Sequence, residues 1–241
     1  MAIVDYHGTA HWSRPNDYQV GNVLRSIPCV LTRCSNIGHN VQALWNHYDS
    51  SADKDFVVHR QLWHVSIISL CNFSGRLSSG ITSDLIAKRL GMSRFWCVIA
   101  SATVFMLGQI CAIRIENPNF LWAVSGLSGL AYGILFGVLP ALVADAFGSQ
   151  GFAMNWGIMT LAAVVSGNVY NLFYGSVYDA HSTMQEGGEM MCEEGLACYQ
   201  AAYYVTLTST IFGILACFWG IRYEHITKRR EEQEDERYHD A

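Results

Sequence analysis

Polar and apolar positions alternate along this chain on the scale of whole segments rather than single residues. Phe95 to Ile113, Asn117 to Ala144, Ala146 to Tyr178 and Gly195 to Ile221 contain no Asp, Glu, Lys or Arg, and Gln61 to Ser83 is interrupted only by Arg76. Each run matches or exceeds the ~20 residues a helix needs to cross a bilayer. Short charged or helix-breaking stretches separate them. The pattern predicts an all-α polytopic membrane helical bundle with five spans: 62–83, 95–113, 120–144, 153–178 and 199–221.

Composition sharpens that reading. Hydrophobic residues make up 51% of the 241 and charged residues only 15%, against about a quarter charged in ordinary soluble domains. A water-soluble helical protein with five uncharged helices in succession would have too little polar surface to cover them. The net charge of -5 does not point to nucleic acid, and the lipid bilayer is the expected partner. Gly-rich phosphate loops, nucleophile elbows and His motifs with metal spacing are missing from the sequence; His7 and His11 lie in a loosely patterned tail. The chain therefore reads as a non-enzyme, with no cofactor or metal expected.

In chain order, 1–33 reads as an atypical tail, 34–61 as the remnant end of a helix with a charged loop, 62–221 as the transmembrane helical domain and 222–241 as a charged tail. Gly75, Ser78, Ser79 and Gly80 are small residues suited to a close crossing, followed by Asp84, Lys88, Arg89 and Arg94, which cannot enter hydrocarbon. Gly129, Gly133, Gly137, Ala141 and Asp145 recur at intervals of four, a stripe that admits a neighbouring helix backbone to backbone; a flexible gating helix, reinforced by Pro140, is the alternative. The span 153–178 is the most polar. Cys192 and Cys198 could pair as a disulfide if their loop faces an oxidising lumen, with free thiols as the alternative. The loop 179–195 has no Lys or Arg, whereas Lys88, Arg89 and Arg94 and the Arg222 to Arg230 stretch mark the other side. The positive-inside rule then places the 84–94 loop and the C-terminus in the cytosol.

The segment GRLSSGITSDLIAKRLGMSR resembles the loop motif of the major facilitator superfamily, with Gly80, Asp84 and Arg89 at matching positions. SNIGHNVQALW, HVSIISLCNFSGRLSSGITSD, ENPNFLWAVSGLSGLAYGILFGVLPALVADAFG, NWGIMTLAAVVSGNVYNLFYGSVYD and CEEGLACYQAAY are similar to the carboxy-terminal half of fungal vacuolar monocarboxylate-transporter-like, nodulin-like members. The resemblance covers 36–222 and implies roughly helices eight to twelve of a twelve-helix transporter, hence a truncated product or an incomplete gene sequence. It further implies a vacuolar membrane, a small organic solute such as a monocarboxylate, alternating access, and a complementary N-terminal half. A regulatory or inactive membrane fragment is the other expectation.

Within that frame Arg76 is the foremost solute-binding candidate, because a guanidinium inside a span must meet a cavity, an anion or a carboxylate; snorkelling or bracing a helix is the alternative. Tyr132, Asn168, Asn171 and Tyr174 are cavity-lining candidates, with plain interhelical hydrogen bonding equally consistent. Asp84 and Arg89 are expected to form a gating latch. With no Asp or Glu well inside any span, a proton-coupled cycle would need His64, a residue near a helix end, or a group from the other half.

Overall fold

The computed structural model describes residues 3–4, 10–11, 37–48, 54–184, 190–192 and 194–239. The tail expected over 1–33 lies outside them, apart from the paired strands β1 (Ile3–Val4) and β2 (Ala10–His11). The helices are α1 (Ile37–Tyr48), α2 (Lys54–Arg89), α3 (Phe95–Arg114), α4 (Leu121–Ala180, preceded by a 3-10 turn at Pro118–Phe120) and α5 (Ala197–His239). Between α4 and α5 a second two-residue pair, β3 (Thr183–Met184) with β4 (Met190–Met191), opens the connecting loop.

Helix α4, at 60 residues, would be about 90 Å long if straight, three times a bilayer's hydrocarbon thickness. It is not straight. Gly148 has φ 67 and ψ 178, outside the helical region, and splits the element into two arms. Leu121 and Val124 near its start and Tyr174 and Tyr178 near its end share one apolar cluster, while Val138 to Val143 and Met159, flanking Gly148, share another. The chain therefore reverses at Gly148, where a residue bearing a Cβ would be strained. The break expected between 144 and 153 is thus a single-residue turn between helical arms.

The same two clusters order every rod. Phe95 of α3 lies in the first and Ile113 in the second; Tyr203 of α5 lies in the second and Ile221 in the first. Val57 and Ile86 place α2 across the same distance. Five rods (α2, α3, the two arms of α4, and α5) thus alternate direction between two ends of a bundle.

Among the described residues, three helices are long and apolar enough to cross a membrane: Phe95–Arg114, Pro118–Ala180 and Ala197–Thr227. The segment Leu62–Ser83, expected as a span, is part of α2, whose serines dilute its apolarity. Those hydroxyls turn inward on their own helix: Ser66, Ser69, Ser74 and Thr82 donate to the carbonyls of Leu62, Val65, Leu70 and Ser78 at 2.7–3.0 Å. Satisfied this way, they do not require water.

Glycine sets how α2 meets the first arm of α4. A Cβ on Gly129 would stand 2.6 Å from the Ile68 carbonyl oxygen, one on Gly133 would fall onto that of Asn72, and one on Gly75 would stand 2.6 Å from that of Leu130. Because 68 and 72 on one helix pair with 129 and 133 on the other, the two rods are parallel. Hydrogen bonds also join α3 to the first α4 arm, Ser101 to the Ala131 carbonyl (2.7 Å), α3 to α5, the Gln109 amide with the Thr210 hydroxyl (3.1 and 3.2 Å), and the second α4 arm to α5, Tyr170 to Ser209 (2.6 Å). Such bonds and close packing replace the hydrophobic effect between helices in lipid.

Two boundaries expected from the sequence move. Residues 54–61, expected as the last part of the 34–61 helix remnant and loop, form the first two turns of α2, and the stretch after 221 continues α5 to His239.

Candidate functional site

One end of the bundle is held by Arg94, which sits just before α3. Its Nη1 donates to Asp84 Oδ1 at 2.7 Å and to Ser83 Oγ at 2.8 Å, and its Nε donates to Asp145 Oδ2 at 2.6 Å. This one guanidinium ties the end of α2 to the end of the first α4 arm, beside the Gly148 turn. The ion pair of Asp84 expected with Arg89 is made with Arg94 instead; Arg89 is exposed and forms no ion pair among the described residues. Arg89 is the last residue of α2, whereas Arg94 comes after the Gly91 turn that brings the chain back. Gly80 has nothing within 4 Å of its Cβ position, so packing does not require it.

The hydrogen bond from Arg94, then the nearby charge of Lys88, hold the Asp84 carboxyl below the ordinary carboxylate range. Burial acts to lower Arg94, but its bonds to Asp84 and Asp145 win and raise it. A depressed carboxyl contributes stability above its unfolded value and loses it as pH falls through the folded one. The clasp is therefore expected to persist from neutrality down through the ordinary carboxylate range and to open only at more acidic pH. In thermal melts in detergent, the acid-side fall in midpoint should be smaller for Asp84→Asn than for wild type.

The opposite end is capped by α1. Asn40, buried, accepts from Tyr174 Oη at 2.6 Å and donates through Nδ2 to Tyr203 Oη at 2.7 Å. One amide thus binds α1 to the second α4 arm and to α5. Cys192 and Cys198 are joined, both fully buried, and Gly195 between them rests on the His47 ring. Trp45 meets Phe56 edge-on at 5.1 Å, with the Arg60 guanidinium over both rings. Glu186, Glu189 and Glu193 of this loop lie outside the described residues.

Between the ends, the predicted solute residues separate into three places. Arg76 is exposed; its Nε donates to Asn72 Oδ1 at 3.0 Å and its guanidinium lies 5.6 Å from the Phe136 ring centre. Phe136 in turn meets Tyr132 at a 36° tilt, ring centres 4.6 Å apart, so Arg76 and Tyr132 belong to one patch. Asn168 and Asn171 are exposed on the second α4 arm, Asn168 donating to its own Val164 carbonyl at 2.9 Å, and no hydrogen bond joins either to Arg76. Tyr174, expected to line a cavity, is 3% exposed and serves the Asn40 node. A polar face at helical spacing met another helix there rather than water.

His64, also buried, shares a 2.8 Å hydrogen bond with Ser125. Asn72, Phe136, Arg94 and Asn40 were not among the predicted site residues. Asn72 was signalled by its i, i+4 spacing from Arg76.

Residues 53–239 match the Major Facilitator Superfamily. The chain is 32% identical over 181 residues to an uncharacterized membrane protein of Saccharomyces cerevisiae, covering 70% of this chain and 32% of that protein. It is 28% identical over 183 residues to a probable transporter, mch1, of Neurospora crassa (65% and 31%), and 26% identical over 159 residues to a probable transporter, MCH1, of Yarrowia lipolytica (65% and 33%). It thus spans about a third of the length of these curated relatives. No solved structure matches it. With the match covering all five rods, and with helices apolar enough to cross a bilayer, this is an integral membrane protein that belongs to the Major Facilitator Superfamily.

Proposed function

We propose that this chain forms part of a transporter that moves a small organic solute, a monocarboxylate by preference, across the membrane by alternating access. It would do so together with a complementary N-terminal half, in the vacuolar membrane, with its own C-terminus cytosolic. The observation that carries the reading is Arg76: an exposed guanidinium within a membrane rod, backed by Asn72 and Phe136 and with Tyr132 alongside. An arginine at that depth belongs against water, protein or an anion rather than lipid. Its planar fork suits a carboxylate. The likeness to relatives named as probable transporters supports the same reading, and the bases at the Arg94 end support the orientation.

The test is uptake of labelled short monocarboxylates into proteoliposomes holding the chain with an N-terminal half. Arg76→Ala should cut uptake by about 10- to 100-fold, the worth of a charge-assisted bidentate contact. Unchanged uptake of every solute carried would remove Arg76 from the site.

A further inference from the structure

We propose that the exposed face of α5 at the Arg94 end of the bundle, where Arg222, Arg229 and Arg230 follow Phe218 and Trp219, is a binding site for the phosphate headgroup of an anionic phospholipid. It requires that the rods lie in a membrane, and is independent of where solute binds.

The first observation is one continuous stripe. Ile211, Phe212, Leu215, Phe218 and Trp219 are all exposed apolar side chains of α5. At about 100° per residue they fall within an arc of about 120°, and Arg222, Ile226, Arg229 and Arg230 carry the same arc onward along the same helix. The face that suits hydrocarbon therefore runs without a break into the arginines. Ile221 belongs to the apolar cluster at the Arg94 end, which fixes the level of the change. Trp96 of α3 stands edge-on to Phe218 there, ring centres 6.0 Å apart, and Trp219 stacks on Tyr223 at 5.8 Å. Aromatic rings of this kind settle where hydrocarbon gives way to headgroups.

The second observation is charge. Residues 222–230 hold four bases and a single acid, Glu224. Glu224 falls on the opposite side of the helix from the arc, so over this length the arginine face carries no negative charge. Arg222, Arg229 and Arg230 are exposed and make no ion pair among the described residues. Lys88 and Arg94, at the same end, are by contrast engaged by carboxylates.

Depth selects the occupant. Arg222 lies one turn, about 6 Å, beyond Phe218, within a headgroup layer about 5–7 Å thick. Its planar fork matches two phosphate oxygens. Arg229 and Arg230 stand about 10–12 Å further along the axis, roughly a Debye length, and add attraction rather than a contact. A soluble anion has no acyl chain to lay along the stripe from Ile211 to Trp219. An acidic protein partner would likewise leave that stripe unused.

The experiment is native mass spectrometry of the chain in a neutral detergent, titrated with dioleoyl phosphatidylserine, dioleoyl phosphatidylcholine or soluble glycerophosphoserine. Phosphatidylserine should be retained about tenfold more tightly than phosphatidylcholine, and glycerophosphoserine should not be retained. Arg222→Gln should weaken phosphatidylserine about tenfold, the worth of one charge-assisted contact, and Arg229→Gln with Arg230→Gln together about fivefold. Arg89→Gln removes an exposed charge at the same end but off this face, and should change the affinity by less than about twofold. Should Arg222→Gln not fold, the outer pair against Arg89→Gln decides. Equal retention of the two lipids, glycerophosphoserine binding as tightly as phosphatidylserine, no loss on removing the arginines, or an equal loss with Arg89→Gln would each overturn the proposal.

Discussion

Replacing Gly133 by leucine should leave no folded bundle to purify. The Cβ alone would fall onto the Asn72 carbonyl oxygen, with the Arg76 amide nitrogen 3.0 Å away, so the obstacle is backbone of a parallel helix. A flexible side chain could swing aside; a hydrogen-bonded helix cannot. Overpacking of a core costs ~1–3 kcal/mol where neighbours can adjust, and a contact of this kind should lie at or above the top of that range. Gly157→Ala is the control, because nothing stands within 4 Å of the added methyl. That change should gain about 0.5–1 kcal/mol through helix entropy. Fluorescence-detected size exclusion and thermal melts in detergent read both, and a Gly133→Leu variant with a wild-type midpoint would show that α2 and α4 do not meet along this seam.

Asn40→Leu should release α1 from the capped end. The substitution removes an acceptor for Tyr174 and a donor for Tyr203 at a site 1% exposed. Losing hydrogen bonds in a buried setting costs ~1–3 kcal/mol for each group left short. The effect should be local first: backbone amides of 41–47 should exchange faster while those of 98–105, at the other end of the bundle, keep their protection. Equal exchange in both segments of mutant and wild type would mean that the apolar contacts of Val41, Leu44 and Trp45 hold α1 unaided.

How far these features could be read from sequence depends on the range of the interaction. The uncharged runs announced the rods because burial in lipid acts on every residue of a segment. Gly129, Gly133 and Gly137 announced the seam because a four-residue repeat is a single face of one helix. The bonds of Asn40 could not be read this way, since its partners lie 134 and 163 residues further on. Tyr174 shared a face with Asn171 and suggested a cavity, yet a helix face alone does not say whether water or another helix meets it. The partner of Asp84 was sought five residues away at Arg89, on the strength of a motif, while the chain reversal through Gly91 delivers Arg94. The turn at Gly148 was expected as a longer break, because glycine with polar neighbours marks an interruption without saying how sharply the chain turns.

Five rods alternate in direction, with the 60-residue helix α4 folded back at Gly148, and all five, α2 included, are expected to cross the membrane. Single cysteines at Leu90, Glu116, Ser149 and Thr183, all exposed, labelled with a membrane-impermeant maleimide in intact and permeabilised vesicles, test it directly. Positions 90 and 149 should react from one side of the membrane, and 116 and 183 from the other. Labelling of 149 and 183 from the same side would contradict it.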